Sequence, residues 1–342
     1  MSSQKVLITG ATGYIGGSVL GSVVQAFPDL QITALLRSLS EEFTTRYPRV
    51  KIVIGDFDSS DVIAKASSEA GIVLQLGPDH RGCAEAILSG LSKRTEPSFF
   101  LHLTGTGCIS DVAQQEWAGK KNPEVWNDIT NIDEIYNLPK EALHREIDRL
   151  VTDASGDLVK TLSIVPPDIY GQGTGIGKRT TFLIPEYIKI VMERKEAFYL
   201  GEGDNMRAVS HIEDVASSWV LLLGEALAGG GRAQWGKEGF YFAVADEVRW
   251  KDAAEAINKL CIEQGWLPAD SKTVSYTAEE VGSAMPSWPF LAKYIWGSNS
   301  RAKSARLESL GWKAKGPSFW DALPADVAHA VENRGSSMGM TK

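Results

Sequence analysis

The run Thr9-Gly10-Ala11-Thr12-Gly13-Tyr14-Ile15-Gly16-Gly17 constrains this chain more than any other stretch. Ahead of it, Lys5-Val6-Leu7-Ile8 reads as a buried strand. Behind it, Ser18 to Val24 reads as an apolar helix. Glycines set three apart between a strand and a helix have a physical reading. Gly10 permits a tight turn, Gly13 lets a pyrophosphate approach the backbone, and Gly16 lets the helix pack closely on the strand. The helix N-terminus then offers free N–H groups and a partial positive charge to phosphate oxygens. Alone the spacing would mark an ordinary turn. Its place between strand and helix makes it a dinucleotide-site signal.

The first half of the chain repeats this alternation. Leu30–Leu36, Val50–Ile54, Gly71–Leu76, Ser98–Leu103 and Leu158–Val165 are near-continuous apolar runs. Helical patterns cover 59–70, 79–93 with Asp79 as its cap, and 139–154 with Pro139 in its first turn. Apolar strands spaced by helices indicate a parallel sheet covered on both faces. A polar stretch from Gly105 to about Leu138 is long enough to be a substrate cover or a surface insertion. After Pro166-Pro167 the alternation breaks and glycines and aromatics become frequent. The expectation is an α/β chain: a Rossmann doubly wound parallel sheet with a smaller C-terminal α+β substrate lobe. Residues 1–170 would form the nucleotide-binding domain, with 205–235 packing back on it. Residues 171–204 and 236–334 would form the lobe, and 335–342 a disordered tail.

A net charge of −8 over 342 residues argues against a nucleic-acid surface. No apolar run is long enough to span a bilayer, and nothing at the start reads as a cleavable signal. Cys83, Cys108 and Cys261 are widely spaced, which fits a reducing compartment and no metal motif. These features lead us to expect a cytoplasmic monomer or homodimer with a small-molecule substrate and no nucleic acid, membrane or metal.

Two strand ends carry further information. The second ends in Leu36-Arg37-Ser38, where an NAD-preferring site carries an Asp or Glu for the ribose 2′-OH. Arg37 can instead clamp a 2′-phosphate, which favours NADP(H) over NAD(H). The third ends in Gly55-Asp56-Phe57. Asp56 can accept from an adenine amino group, or it can cap the next helix.

With these motifs in order, the chain resembles the extended and atypical short-chain dehydrogenases/reductases, with their epimerase/dehydratase-like and NmrA-like branches, over roughly residues 5 to 315. Beyond the glycine turn, the resemblance rests on Leu103-Thr104-Gly105-Thr106, Pro166-Pro167-Asp168-Ile169-Tyr170-Gly171, Gly201 to Arg207 with His211 to Ala216, and Arg306 to Trp312. It implies cofactor contacts from Gly10, Thr12, Gly13, Tyr14, Ile15 and Gly16, and from Arg37, Ser38, Asp56 and Phe57. Leu76, Gly77, Thr104, Lys140, Pro166 and Ile169 would add to them. Gln172 and Arg207 are candidate substrate contacts, and His211 and Asp214 read as structural.

The family's chemistry uses a Ser or Thr to polarise the substrate oxygen, a Tyr to transfer a proton, and a Lys four residues on to lower the Tyr pKa. Thr106 matches the first position, and Tyr136 with Lys140 has the required spacing. Pro139 falls inside that turn, and a helix starting there leaves Tyr136 outside it. A second register sets Lys140 opposite the family Tyr and leaves no catalytic Tyr. His144, four residues on, is then a candidate substitute acid, although a surface histidine is the commoner meaning of such a residue. The whole implies an NADPH-dependent oxidoreductase acting on a carbonyl, or a conjugated double bond, of a small organic molecule, aromatic ones included. Two alternatives stay open: an epimerase or dehydratase with no net redox change, and a non-catalytic NADP-binding sensor.

Overall fold

The computed structural model describes residues 5–77 and 79–333. The main sheet has seven parallel strands: β1 (Lys5–Thr9), β2 (Gln31–Leu36), β3 (Lys51–Ile54), β4 (Ile72–Gln75), β5 (Ser98–Leu103), β6 (Val159–Val165) and β7 (Phe240–Phe242). Their spatial order is β7-β6-β5-β4-β1-β2-β3. The order reverses at β1, which opens a crevice beyond the carboxyl ends of β1 and β4. On one face, Val6, Ile8 and Leu74 pack against α1 (Tyr14–Ala26) and α5 (Ile212–Leu227). On the other, Leu7, Val73 and Phe100 pack against α2 (Ser60–Glu69), α3 (Arg81–Leu91) and α4 (Arg145–Asp153). Burial on both faces is why these strands lack a polar alternation.

Three local expectations change. Phe240–Phe242, assigned to the lobe by sequence, is the strand that covers the open edge of β6; a three-residue aromatic run carries too little pattern to announce this. The helix expected over 139–154 starts only at Arg145, because His144 takes a left-handed conformation (φ 66°) that interrupts the turns before it. α3 is capped by the His80 ring, whose Nδ1 accepts from the Cys83 amide at 3.1 Å, and Asp79 is free for another partner. The tail expected at 335–342 lies outside the described residues.

The second half builds around a three-stranded sheet of Asp168–Tyr170, Met206–His211 and Asp246–Arg249. Its core joins Tyr187, Phe198, Trp250 and Trp296. The polar stretch after β5 is anchored, since Trp126–Asn127 pairs with Ala302–Lys303. The glycine-rich segment 171–178 straps across the start of α1. There the Lys178 amide donates to Thr12 O at 2.9 Å and the Thr174 amide to Ser18 Oγ at 3.1 Å.

Candidate active site

The glycine turn has the geometry its sequence called for. Gly10 sits at φ 72°, and a Cβ there would lie 2.6 Å from Leu76 O, so only glycine lets the ends of β1 and β4 close up. Gly13 is the N-cap of α1, and no side chain caps that end. An uncapped helix N-terminus at the sheet's switch point suits a pyrophosphate, and these residues fit a dinucleotide. Arg37 and Ser38 are exposed at the end of β2, and Arg37 has no ion-pair partner among the described residues. Thr12 is exposed and Ile15 is half-buried against the core. Leu76, Gly77, Thr104, Pro166 and Ile169 are buried around the strand ends.

Two side chains of this group have other partners. The Tyr14 hydroxyl donates to Gly171 O at 2.6 Å, so its ring fastens the strap, and only its backbone amide is left for a phosphate. Asp56 takes the Ser59 hydroxyl at 2.7 Å and the Asp58 amide at 3.1 Å on one oxygen. The Ser59 bond leads in holding its pKa below the usual value, and its place is that of a turn cap. Phe57 lies against Gly77, where a Cβ would meet its ring at 2.2 Å.

The expected pair Tyr136 and Lys140 is not brought together with Thr106. Tyr136 ends a short helix, and its hydroxyl donates at 2.9 Å to Asp153, the last residue of α4. The Arg149 guanidinium covers its ring at 3.9 Å. The Lys140 side chain is 90% exposed, with only Glu141 nearby at 3.9 Å. The physical cause is the one Pro139 implied: Tyr136 and Lys140 share no helix. Thr106 itself is buried at the start of a 3-10 turn, with its amide on Pro166 O.

His144, rather than that pair, lies against the two glycines that flank Thr106. Its Nδ1 lies 2.7 and 2.8 Å from the two carboxylate oxygens of Asp79. A Cβ on Gly105 or on Gly107 would each fall 3.1 Å from its Nε2, so the ring edge rests between these two glycines, either side of Thr106. Burial works against the charged ring, but the Asp79 hydrogen bond and charge, helped by Asp148, outweigh it and raise its pKa above the usual value. Three non-glycine residues among those described have positive φ, and Asp79 (61°) and His144 (66°) are two of them. Such conformations cost about 1–3 kcal/mol each and gather at functional sites. Sequence reasoning missed Asp79, which it used as a helix cap. The signal for the crowded ring edge was available in the glycines flanking Thr106.

Beside Gly107, Ala142 and Leu143 a cavity of about 380 Å³ opens. Ile109, Trp126, Leu138 and Phe290 make its walls largely apolar. Its one arginine, Arg301, is already bound to Glu247 at 2.9 Å. Gln172 is exposed on the strap. Arg207 is not a substrate contact: it is 1% exposed, and its guanidinium grips Asp168 at 2.7 and 3.0 Å and Tyr294 O at 2.9 Å. The buried Cys108 thiol is pushed up by desolvation and is a packing residue.

Comparison with known proteins agrees with this architecture. Residues 105–233 match the NAD dependent epimerase/dehydratase family. A protein named oxidase ucsJ, from an Acremonium species, is 28% identical, covering 98% of this chain and 100% of that one. The dTDP-glucose 4,6-dehydratase of Streptomyces venezuelae, solved with NAD bound, superposes with a TM-score of 0.64 at 15% identity, over 97% of this chain and 98% of its own. The UDP-glucose 4-epimerase of Thermotoga maritima, solved with UDP-glucose, gives 0.62 at 13% identity, over 96% and 99%. The matched family is described as NAD dependent, and the dehydratase is the neighbour seen with NAD. No described helix is long and apolar enough to cross a membrane. The chain shares the fold of these solved enzymes, and its residues 105–233 are similar to the NAD dependent epimerase/dehydratase family.

Proposed function

We propose that the chain is an NADP(H)-dependent oxidoreductase that reduces the carbonyl, or a conjugated double bond, of a small and largely apolar molecule, aromatic ones included. His144, oriented by Asp79, is its proton donor. The observation that carries this reading is the Asp79–His144 pair, two strained residues joined at 2.7 Å beside an apolar cavity. Bound NADPH would supply a hydride. The negative charge that then grows on the substrate oxygen needs a positioned donor. With Nδ1–H committed to Asp79, Nε2–H is the proton the ring has left to give. The raised pKa keeps the imidazolium populated to higher pH than in a free histidine. Reduction is therefore fastest below that pKa and declines as pH rises through it. The relative named an oxidase fits the same groups run in reverse, with neutral His144 accepting the proton.

The test is NADPH oxidation with a panel of aldehydes, ketones and enones. His144→Gln should lower kcat by about 10²- to 10⁴-fold, and Tyr136→Phe should leave it unchanged. Loss of activity in Tyr136→Phe with His144→Gln active would refute the assignment. Product formed without net cofactor change would mark an epimerase or dehydratase instead, and cofactor binding without turnover a sensor. Arg37 supports the choice of NADP(H): Arg37→Ala should weaken NADPH binding by about 10- to 100-fold and NADH little, read by fluorescence titration. Equal losses for both would remove the 2′-phosphate contact.

A further inference from the structure

One layer below the site, the sheet carries a feature the mechanism so far leaves unused. Thr9, Gln75, His102 and Ser163 stand directly opposite one another on β1, β4, β5 and β6, and all four are buried. Two residues earlier on the same face, Leu7, Val73 and Phe100 form an apolar row, as expected in a covered parallel sheet. A polar row at this depth needs partners, because each unpaired buried polar group costs about 1–3 kcal/mol.

Its hydrogen bonds have a direction. Gln75 Nε2 donates to Gly77 O at 3.3 Å, which turns Gln75 Oε1 towards His102 Nδ1 at 3.0 Å. Nδ1 is therefore the protonated nitrogen of His102, and Nε2 carries the lone pair. That lone pair faces Asp148 Oδ1 at 3.7 Å. Asp148 is wholly buried in α4, and neither of its oxygens has a hydrogen-bond partner. A lone pair and a carboxylate repel, so the arrangement is favourable when Asp148 holds a proton and offers it to His102. Asp148 lies one helical turn from His144, on the same side of the chain. The Thr104 hydroxyl, also buried and without a partner by strict geometry, lies within electrostatic reach of Asp148.

We propose that Asp148 is a buried proton reserve for His144, kept in its acid form by the Gln75–His102 pair. The inference rests on His144 being the proton donor. After His144 has given its proton to the substrate oxygen, the O–H bond of Asp148 breaks and an N–H bond forms on His144. The products are a carboxylate on Asp148 and an imidazolium on His144, so charge and protons balance. Asp148 then regains its proton from solvent by way of the partly exposed His144 ring. The titratable and charged groups facing His144 are Asp79 from the loop after β4, Asp148 from α4 and His102 from β5, while Arg145 and Cys108 act on Asp148. Burial pushes Asp148 up to about 7, in keeping with a carboxyl that stays protonated near neutrality.

Infrared difference spectroscopy of the full chain tests this without any substrate. At about pH 6, two units above an ordinary Asp, the wild type should show the carbonyl stretch of a neutral carboxylic acid. Asp148→Asn, which can still donate to His102, should fold and lose the part of that band due to Asp148, leaving the part from Asp128, which burial also pushes up to about 7. His102→Phe, which removes the acceptor, should shift the loss of the Asp148 part to lower pH. A band that is undiminished in Asp148→Asn overturns the reserve, whatever the activities are. With a substrate found, Asp148→Asn should slow steady-state turnover about tenfold relative to its own first turnover, with recovery on adding a small buffer acid. A band present but steady-state turnover unchanged in Asp148→Asn also overturns it. Failure of His144→Gln to lose activity would instead refute the donor assignment, leaving the infrared result to stand by itself.

Discussion

At the scale of single residues, the candidate site is made by what its neighbours leave room for. Gly107 has an ordinary backbone conformation that alanine tolerates, yet a methyl group there would sit 3.1 Å from both His144 Nε2 and Leu143 Cδ1. The ring would have to give by a few tenths of an ångström. Misplacement on that scale is costly in catalysis and cheap in stability. Gly107→Ala should therefore reduce kcat by about tenfold or more while the melting temperature moves little. A lowered melting temperature with intact kcat would show that the glycine serves packing instead. Tyr136 illustrates the opposite case. Its type and spacing are right, but its hydroxyl is committed to Asp153 and its ring lies under Arg149.

At the scale of elements, most of the architecture was legible. Apolar runs bounded by turns located β1 to β6 within a residue or so of their ends, since strands buried on both faces leave the strongest signature a sequence can carry. The glycine turn located the uncapped start of α1. What could not be read depends on contacts between distant segments. Whether Asp79 caps α3 or binds His144 depends on which of His80 and Asp79 reaches the Cys83 amide. The answer follows from a partner 65 residues away. The late start of α4 has the same origin, because the left-handed turn at His144 is held by tertiary contacts against local preference. The family match, confined to 105–233, likewise covers the segment in which Tyr136, Lys140 and His144 compete for one role.

At the scale of the molecule, Arg207 joins the second sheet to the helical segment beside it. It grips Asp168 on the adjacent strand and the carbonyl of Tyr294. Removing one partner of a buried pair leaves the other charge uncompensated, at a cost of about 3–5 kcal/mol. Arg207→Ala should lower unfolding free energy by about that much in urea, with substrate KM unchanged in the protein that remains folded. A raised KM with unaltered stability would return Arg207 to the substrate. The left-handed turns at Asp79 and His144 have a related consequence. No local preference of the chain holds either residue in its conformation, and each is kept there by surrounding tertiary structure. The lifetime of the competent site is thus the lifetime of the closed scaffold. On the proposed mechanism, local opening around these two residues would silence the site while the helices and strands elsewhere stay intact.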